Sequence, residues 1–115
     1  MSFTIHVKRN DIHKIVAGWE PMARLVVQEH SYDLEAQMKR IITDKNIIDT
    51  GALLNSTQVQ RFEDDGLTSY TGPSVDYAIH QEYGTTRQPA RPFVQPAFDL
   101  VAPRFTADLK RRLQP

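Results

Sequence analysis

The chain has 115 residues, and its 14 lysines and arginines balance 14 aspartates and glutamates to zero net charge. The length fits a single domain over residues 1–115, with a core small enough that completion against neighbouring subunits is as reasonable as a monomer. Zero charge argues against a free-standing nucleic-acid binder, and the lack of cysteine excludes a disulfide framework, a thiolate nucleophile and a zinc–thiolate site.

The opening MSFTIHVKRN has no apolar run of signal-peptide length. No stretch approaches the roughly 18 apolar residues of a membrane span, so a soluble chain without membrane contact is expected. Phe3, Ile5 and Val7 alternate with Thr4, His6 and Lys8, which predicts a half-buried strand. Asn10-Asp11 signals a helix start, so Ile12–Ala17 reads as a short helix halted around Gly18. From Pro21 to about Thr43 the period is helical. Ala23, Val27, Leu34, Met38 and Ile41 form one stripe, flanked by Val26 and Ile42. Glu20–Arg24 and Glu35–Lys39 have the spacing of helical ion pairs.

Asp49-Thr50-Gly51 reads as a cap and tight turn leading into Ala52-Leu53-Leu54, and Asn55–Glu63 as a strand. Asp64-Asp65-Gly66 is a turn signal, with Leu67–Thr71 as the return strand of a hairpin closed by Gly72-Pro73. Asp76 suits the cap of a short helix over Tyr77–Tyr83, and Gly84 the left-handed residue that ends it. Thr85–Gln95 is expected to be extended, because each residue before a proline is pushed away from helical geometry. Pro96 opens a last helix with Phe98, Val101, Phe105 and Leu109 on its apolar stripe. Pro103 falls inside that helix and should kink it or delay its start. Arg104–Asp108 and Asp108–Arg112 are spaced to pair. The sum is an α+β fold: a small antiparallel sheet, made of the N-terminal strand plus a hairpin, packed against a long helix, with a short helix and a C-terminal helix.

No catalytic set assembles from these residues, and no enzyme activity or cofactor is expected. None of His6, His13, His30 and His80 has metal-ligand spacing; His30, near the apolar stripe, reads as packed or partner-facing. Asp49-Thr50-Gly51 lacks the glycine spacing and lysine of a phosphate loop, and no serine has a nucleophile-elbow context. Glu82 is expected to pair with Arg87 or Arg91 and so fix the extended segment; arginines turned outward would instead belong to a subunit seam. The run Lys110-Arg111-Arg112 leaves a small nucleic-acid-binding module as an alternative. What stands out is Val75–Ala97, where Pro89, Pro92 and Pro96 alternate with Arg87, Arg91 and Phe93. Arginines and aromatics on preset backbone suit a contact surface.

Two stretches together carry a resemblance. Asp49-Thr50-Gly51-Ala52-Leu53-Leu54-Asn55-Ser56 is similar to a DTGxLxxS element. Downstream, Tyr77-Ala78, Glu82-Tyr83-Gly84-Thr85, Pro89-Ala90-Arg91-Pro92-Phe93 and Pro96-Ala97 are similar to a YA…E(F/Y)GT…PARPF…PA signature. Both belong to the small head–tail joining proteins of long-tailed bacteriophages, also called tail-completion or neck proteins. The resemblance covers residue 49 to the end, and either motif alone is short. It implies a structural virion subunit, made in the host cytoplasm, that forms a ring, commonly six-fold, at the head–tail junction. It also implies neck, connector and tail proteins as partners, with DNA passing through the channel without sequence-specific binding. A tail-terminator subunit is the nearest rival. On this reading Asp49, Thr50 and Gly51 set the entry into the hairpin, and Leu53 and Ser56 are further interface or fold-determining candidates. Glu82, Gly84 and Thr85 close the short helix, and Arg91, Pro92 and Phe93 lock the extended segment against the core or a neighbour, with Tyr77, Arg87 and Pro96 as further interface or fold-determining candidates.

Overall fold

The computed structural model describes residues 3–6, 18–45, 50–75, 78–86 and 89–113, with residues 3–6 and 50 described by their backbone alone. In chain order the elements are strand β1 (Phe3–His6), helix α1 (Glu20–Asp44), helix α2 (Thr50–Ser56), strands β2 (Gln58–Glu63) and β3 (Thr68–Gly72), helix α3 (Ala78–Tyr83) and helix α4 (Val94–Arg112). The α+β architecture expected from the sequence is present. The sheet is antiparallel with order β1-β3-β2, so the return strand of the hairpin is central and the N-terminal strand pairs beside it. The short helix expected over Ile12–Ala17 lies outside the described residues.

Helix α1 follows its stripe. Ala23, Val26, Val27, Leu34, Met38 and Ile42 are all buried, at spacings that keep one face on the core. Pro21 sits in the first turn, where its missing N–H costs nothing. Sequence periodicity missed a polar position on this face. Ser31 is fully buried and its hydroxyl donates to the Val27 carbonyl, so it accepts from the buried hydroxyl of Ser69 on β3. The helix therefore meets the sheet through a hydroxyl contact as well as through apolar side chains.

The hairpin turns on three consecutive left-handed residues, Asp64 (φ 53°), Asp65 (φ 59°) and Gly66 (φ 85°). Aspartate tolerates this conformation better than most side chains. A Cβ at Gly66 would stand 2.9 Å from Cδ of Arg24, whose stem lies across the turn. The Arg24 guanidinium reaches Asp65 at 3.2 Å. The Glu20–Arg24 pair expected from spacing gives way to this tertiary contact. Strand β2 is an edge and is exposed along most of its length. Its pairing slips at Gln60, between Val59↔Thr71 and Arg61↔Tyr70. The Gln60 side-chain amide donates to the Gly72 carbonyl at 2.7 Å, so the bulge keeps that acceptor satisfied. Opposite it, the Arg61 guanidinium sits 4.0 Å from the centre of the Tyr70 ring.

Three expectations need correction. Residues Thr50–Ser56 are helical, so Thr50 and Gly51 lie in the first turn of α2 rather than in a tight turn, and β2 begins at Gln58 rather than Asn55. The helix is anchored because Leu53 is fully buried, and its carbonyl accepts from the hydroxyls of Ser56 (3.2 Å) and Thr57 (2.7 Å). Second, the extended segment ends earlier than its prolines suggested, since Val94 and Gln95 are already helical. Third, Pro103 does not delay α4, which runs continuously from Val94 to Arg112. The start is set upstream, by the cap described below. The core joins Trp19 and the α1 stripe to Leu53, Leu67, Ala78, Phe93, Val94, Ala97, Val101 and Leu113.

Candidate functional site

The segment from α3 to the first turn of α4 closes around one side chain. Glu82 lies on the inward face of α3 and is 4 % exposed. Its Oε1 accepts the backbone N–H groups of Phe93 (2.8 Å) and Val94 (2.9 Å), and its Oε2 accepts that of Gln95 (3.0 Å). These donors are what a helix start leaves unpaired. Phe93, at the cap position, has no side-chain oxygen to offer them, and Pro96 brings no N–H of its own. One carboxylate reached from a preceding helix therefore satisfies the donors of this turn, and its negative charge sits at the positive end of the α4 dipole.

This corrects the expected ion pair. Glu82 turns to backbone donors, and the Arg91 side chain is exposed. Arg91 still takes part through its backbone, whose N–H donates to the Gln81 carbonyl at 2.7 Å. Arg87 lies outside the described residues, as do Asp49 and Tyr77; Thr50 is described by its backbone. Other motif residues converge on the same clasp. Gly84 is left-handed (φ 78°), and its N–H closes α3 on the His80 carbonyl at 2.8 Å. Phe93 is fully buried, and Pro96 is half-buried in the first turn of α4. The Pro92 carbonyl accepts from Nζ of Lys45 at 2.6 Å, which ties the end of α1 to the extended segment. Leu53 and Ser56 belong to α2, in a separate part of the core contact. Thr85 is exposed beside Gly84 and is engaged within the fold.

The outward side of the clasp differs in kind. Ile79 is 49 % exposed and Tyr83 is 70 % exposed, on the solvent side of α3. Thr86, Pro89, Ala90 and Arg91 continue the exposed surface. Helix α3 thus buries Glu82 and Gln81 with Ala78 and leaves two large side chains, Ile79 and Tyr83, exposed, where an ordinary amphipathic helix would bury them. The spacing Ile79–Tyr83 was visible in the sequence, but its outward direction follows only once Glu82 is known to face the α4 terminus.

At the other end of α4, Asp108 gathers three basic side chains. Its carboxylate meets Nε2 of His30 at 2.9 Å, Arg111 at 2.5 Å and Arg112 at 3.0 Å. The hydrogen bond from His30 first, then that from Arg111, holds the Asp108 carboxyl down at about 2. Arg112 also pairs with Glu29 at 2.9 Å, and Arg104 with Asp33 at 3.2 Å rather than with Asp108 as its spacing suggested. His30 is packed edge-on to Phe105, with ring centres 5.8 Å apart. Arg111 and Arg112 are thus engaged within the fold, which leaves less of the basic run for phosphate.

Among the described residues no group of three or more histidine, cysteine or acidic side chains is placed to hold a metal ion. No described helix is long and apolar enough to cross a membrane. No protein-family profile, curated protein sequence or solved structure matches this chain.

Proposed function

We propose that the chain is a structural subunit of a tailed-bacteriophage virion, joining head and tail as part of a ring. The observation that carries this reading is the convergence of the second motif. Glu82, Gly84, Pro92, Phe93 and Pro96, spread over 15 residues of sequence, act as one clasp. A motif whose members share one structural task is more specific than the same letters scattered through a fold. The clasp fixes the backbone that carries Tyr83, Ile79 and Arg91 outward. Aromatic and arginine side chains on preordered backbone are the residues that dominate contacts between proteins.

On this reading the subunit works by contact, not chemistry. A ring needs heterologous surfaces that close after a fixed rotation, and the outward face of α3 supplies one of them. The partners are further copies of the chain together with neck, connector and tail proteins, and DNA passes through the ring without base recognition. The test is joining in vitro. Purified protein is mixed with tails lacking this component, and complexes are followed by light scattering and negative-stain imaging. The reading predicts rings, or a stable complex with tails or a neck protein. A chain that stays monomeric and joins neither tails nor a neck partner would overturn it.

A further inference from the structure

Helix α4 is one helix by its hydrogen bonds but two by its anchorage. Its first half is capped by Glu82 and buries Val94, Ala97 and Val101 to within 1 % exposure. Pro103 then interrupts the ladder: it has no N–H for the Asp99 carbonyl, and its ring crowds the preceding turn. Beyond it the attachment changes. Phe105 and Leu109 are only partly buried, with Leu113 tucked in at the end. The polar ties to α1 are Arg104–Asp33, Asp108–His30 and Arg112–Glu29, beside the edge-on contact of Phe105 with His30. They link α4 positions 104, 108 and 112 to α1 positions 33, 30 and 29, so the two helices run antiparallel with one contact per turn. Asp108 is the hub, because it also holds Arg111 and Arg112 in place.

We propose that residues 104–113 form a strap that opens from α1 independently of the first half of α4, with Pro103 as its hinge and Asp108 as its latch. The proposal stands apart from the virion reading and holds for the isolated chain. Its physical basis is the difference in fastening. Apolar burial depends little on screening, whereas the partly exposed Arg104–Asp33 and Arg112–Glu29 pairs weaken as the screening length falls from about 10 Å at 0.1 M to about 3 Å at 1 M salt, and the nearly buried Asp108–His30 contact is screened less. Strap closure therefore depends on ionic strength in a way that closure of residues 94–101 does not. Local opening of this kind is a common property of weakly anchored segments.

Hydrogen–deuterium exchange on the full chain, read by peptide, tests this. In the wild type, residues 104–113 are expected to exchange faster than residues 94–101, with the gap widening in 1 M salt. Asp108→Asn removes the charged acceptor and should speed exchange of the strap by about tenfold or more while leaving 94–101 unchanged, since bonds to charged groups exceed neutral ones. Pro103→Ala restores the missing N–H at an exposed position and should slow strap exchange toward that of the first half. This second variant needs no weakened protein, so the proposal remains testable should Asp108→Asn fail to fold. Equal exchange of both halves in the wild type, or equal acceleration of both by Asp108→Asn, would overturn it.

Discussion

Two carboxylates hold α4, one near each end, and they do so by different physics. Glu82 is buried and spends both oxygens on backbone N–H groups that no other residue satisfies. Asp108 is held by the side chains of His30, Arg111 and Arg112, of which the two arginines are long enough to turn to water if it is removed, while His30 stays packed against Phe105. Backbone donors cannot leave. Loss of Glu82 strands three of them at once in a buried turn, whereas loss of Asp108 releases two flexible arginines, one of which keeps Glu29, and leaves only the His30 ring without its acceptor. The acid that matters most to the fold is therefore the one that makes no ion pair, and a count of salt bridges would rank the two the wrong way round.

The largest expected effect follows from that difference. Glu82→Ala should lower unfolding stability in urea by about 3–5 kcal/mol, since it leaves three backbone N–H groups without their acceptor at about 1–3 kcal/mol each. Glu82→Gln keeps one acceptor but turns an amide donor toward a backbone donor, and should lose about half as much. A loss under about 1 kcal/mol for Glu82→Ala would erase the contrast between the two acids.

Asp108→Asn should cost less, about 1–2 kcal/mol, and its cost should depend on pH. The folded protein holds this carboxyl at about 2, below its ordinary 3.8. A depressed carboxyl adds stability that is fully present above the unfolded value and is lost as pH falls through the folded one. Urea unfolding of the wild type and Asp108→Asn should therefore differ at pH 6 and draw together between about pH 4 and pH 2. A gap that stayed constant down to pH 2 would contradict the assignment.

Much of this fold is written in the sequence because its signals are local. The stripe from Ala23 to Ile42 marks α1, and the run Asp64-Asp65-Gly66 marks the hairpin turn. Gly84 marks the end of α3, since only a left-handed residue closes it cheaply. The Glu82 contacts were not legible for the opposite reason. Their acceptors are met by backbone groups 11 to 13 residues downstream, and a peptide N–H carries no residue type to read. Arg24 and Arg104 show the same limit, because each had a neighbour at helical spacing and chose a tertiary acid instead. The segment Thr50–Ser56 was read as turn and strand because its apolar run is too short for periodicity to separate a helix from a strand.

Smaller effects sharpen the division between the inside of the clasp and its outside. Gly84→Ala should cost about 1 kcal/mol in thermal or urea unfolding, because a Cβ is strained at φ 78°. On the outer face, Tyr83→Ala and Arg91→Ala should change stability by no more than about 0.5 kcal/mol, as expected of exposed positions. On the proposed joining role, both should nonetheless weaken binding to tails or neck partners. Destabilisation well beyond that limit would place these side chains in the fold rather than on a contact surface.

The most direct test of the account is site-resolved amide exchange by NMR at Phe93, Val94 and Gln95. First-turn amides of an uncapped helix face solvent and exchange quickly. Held by Glu82, these three should be protected to the level of core amides such as Val101 in the wild type. In Glu82→Gln they should exchange about tenfold or more faster, because a charge-assisted bond is lost. Rapid exchange of all three in the wild type, or protection untouched by Glu82→Gln, would contradict the cap on which the clasp depends.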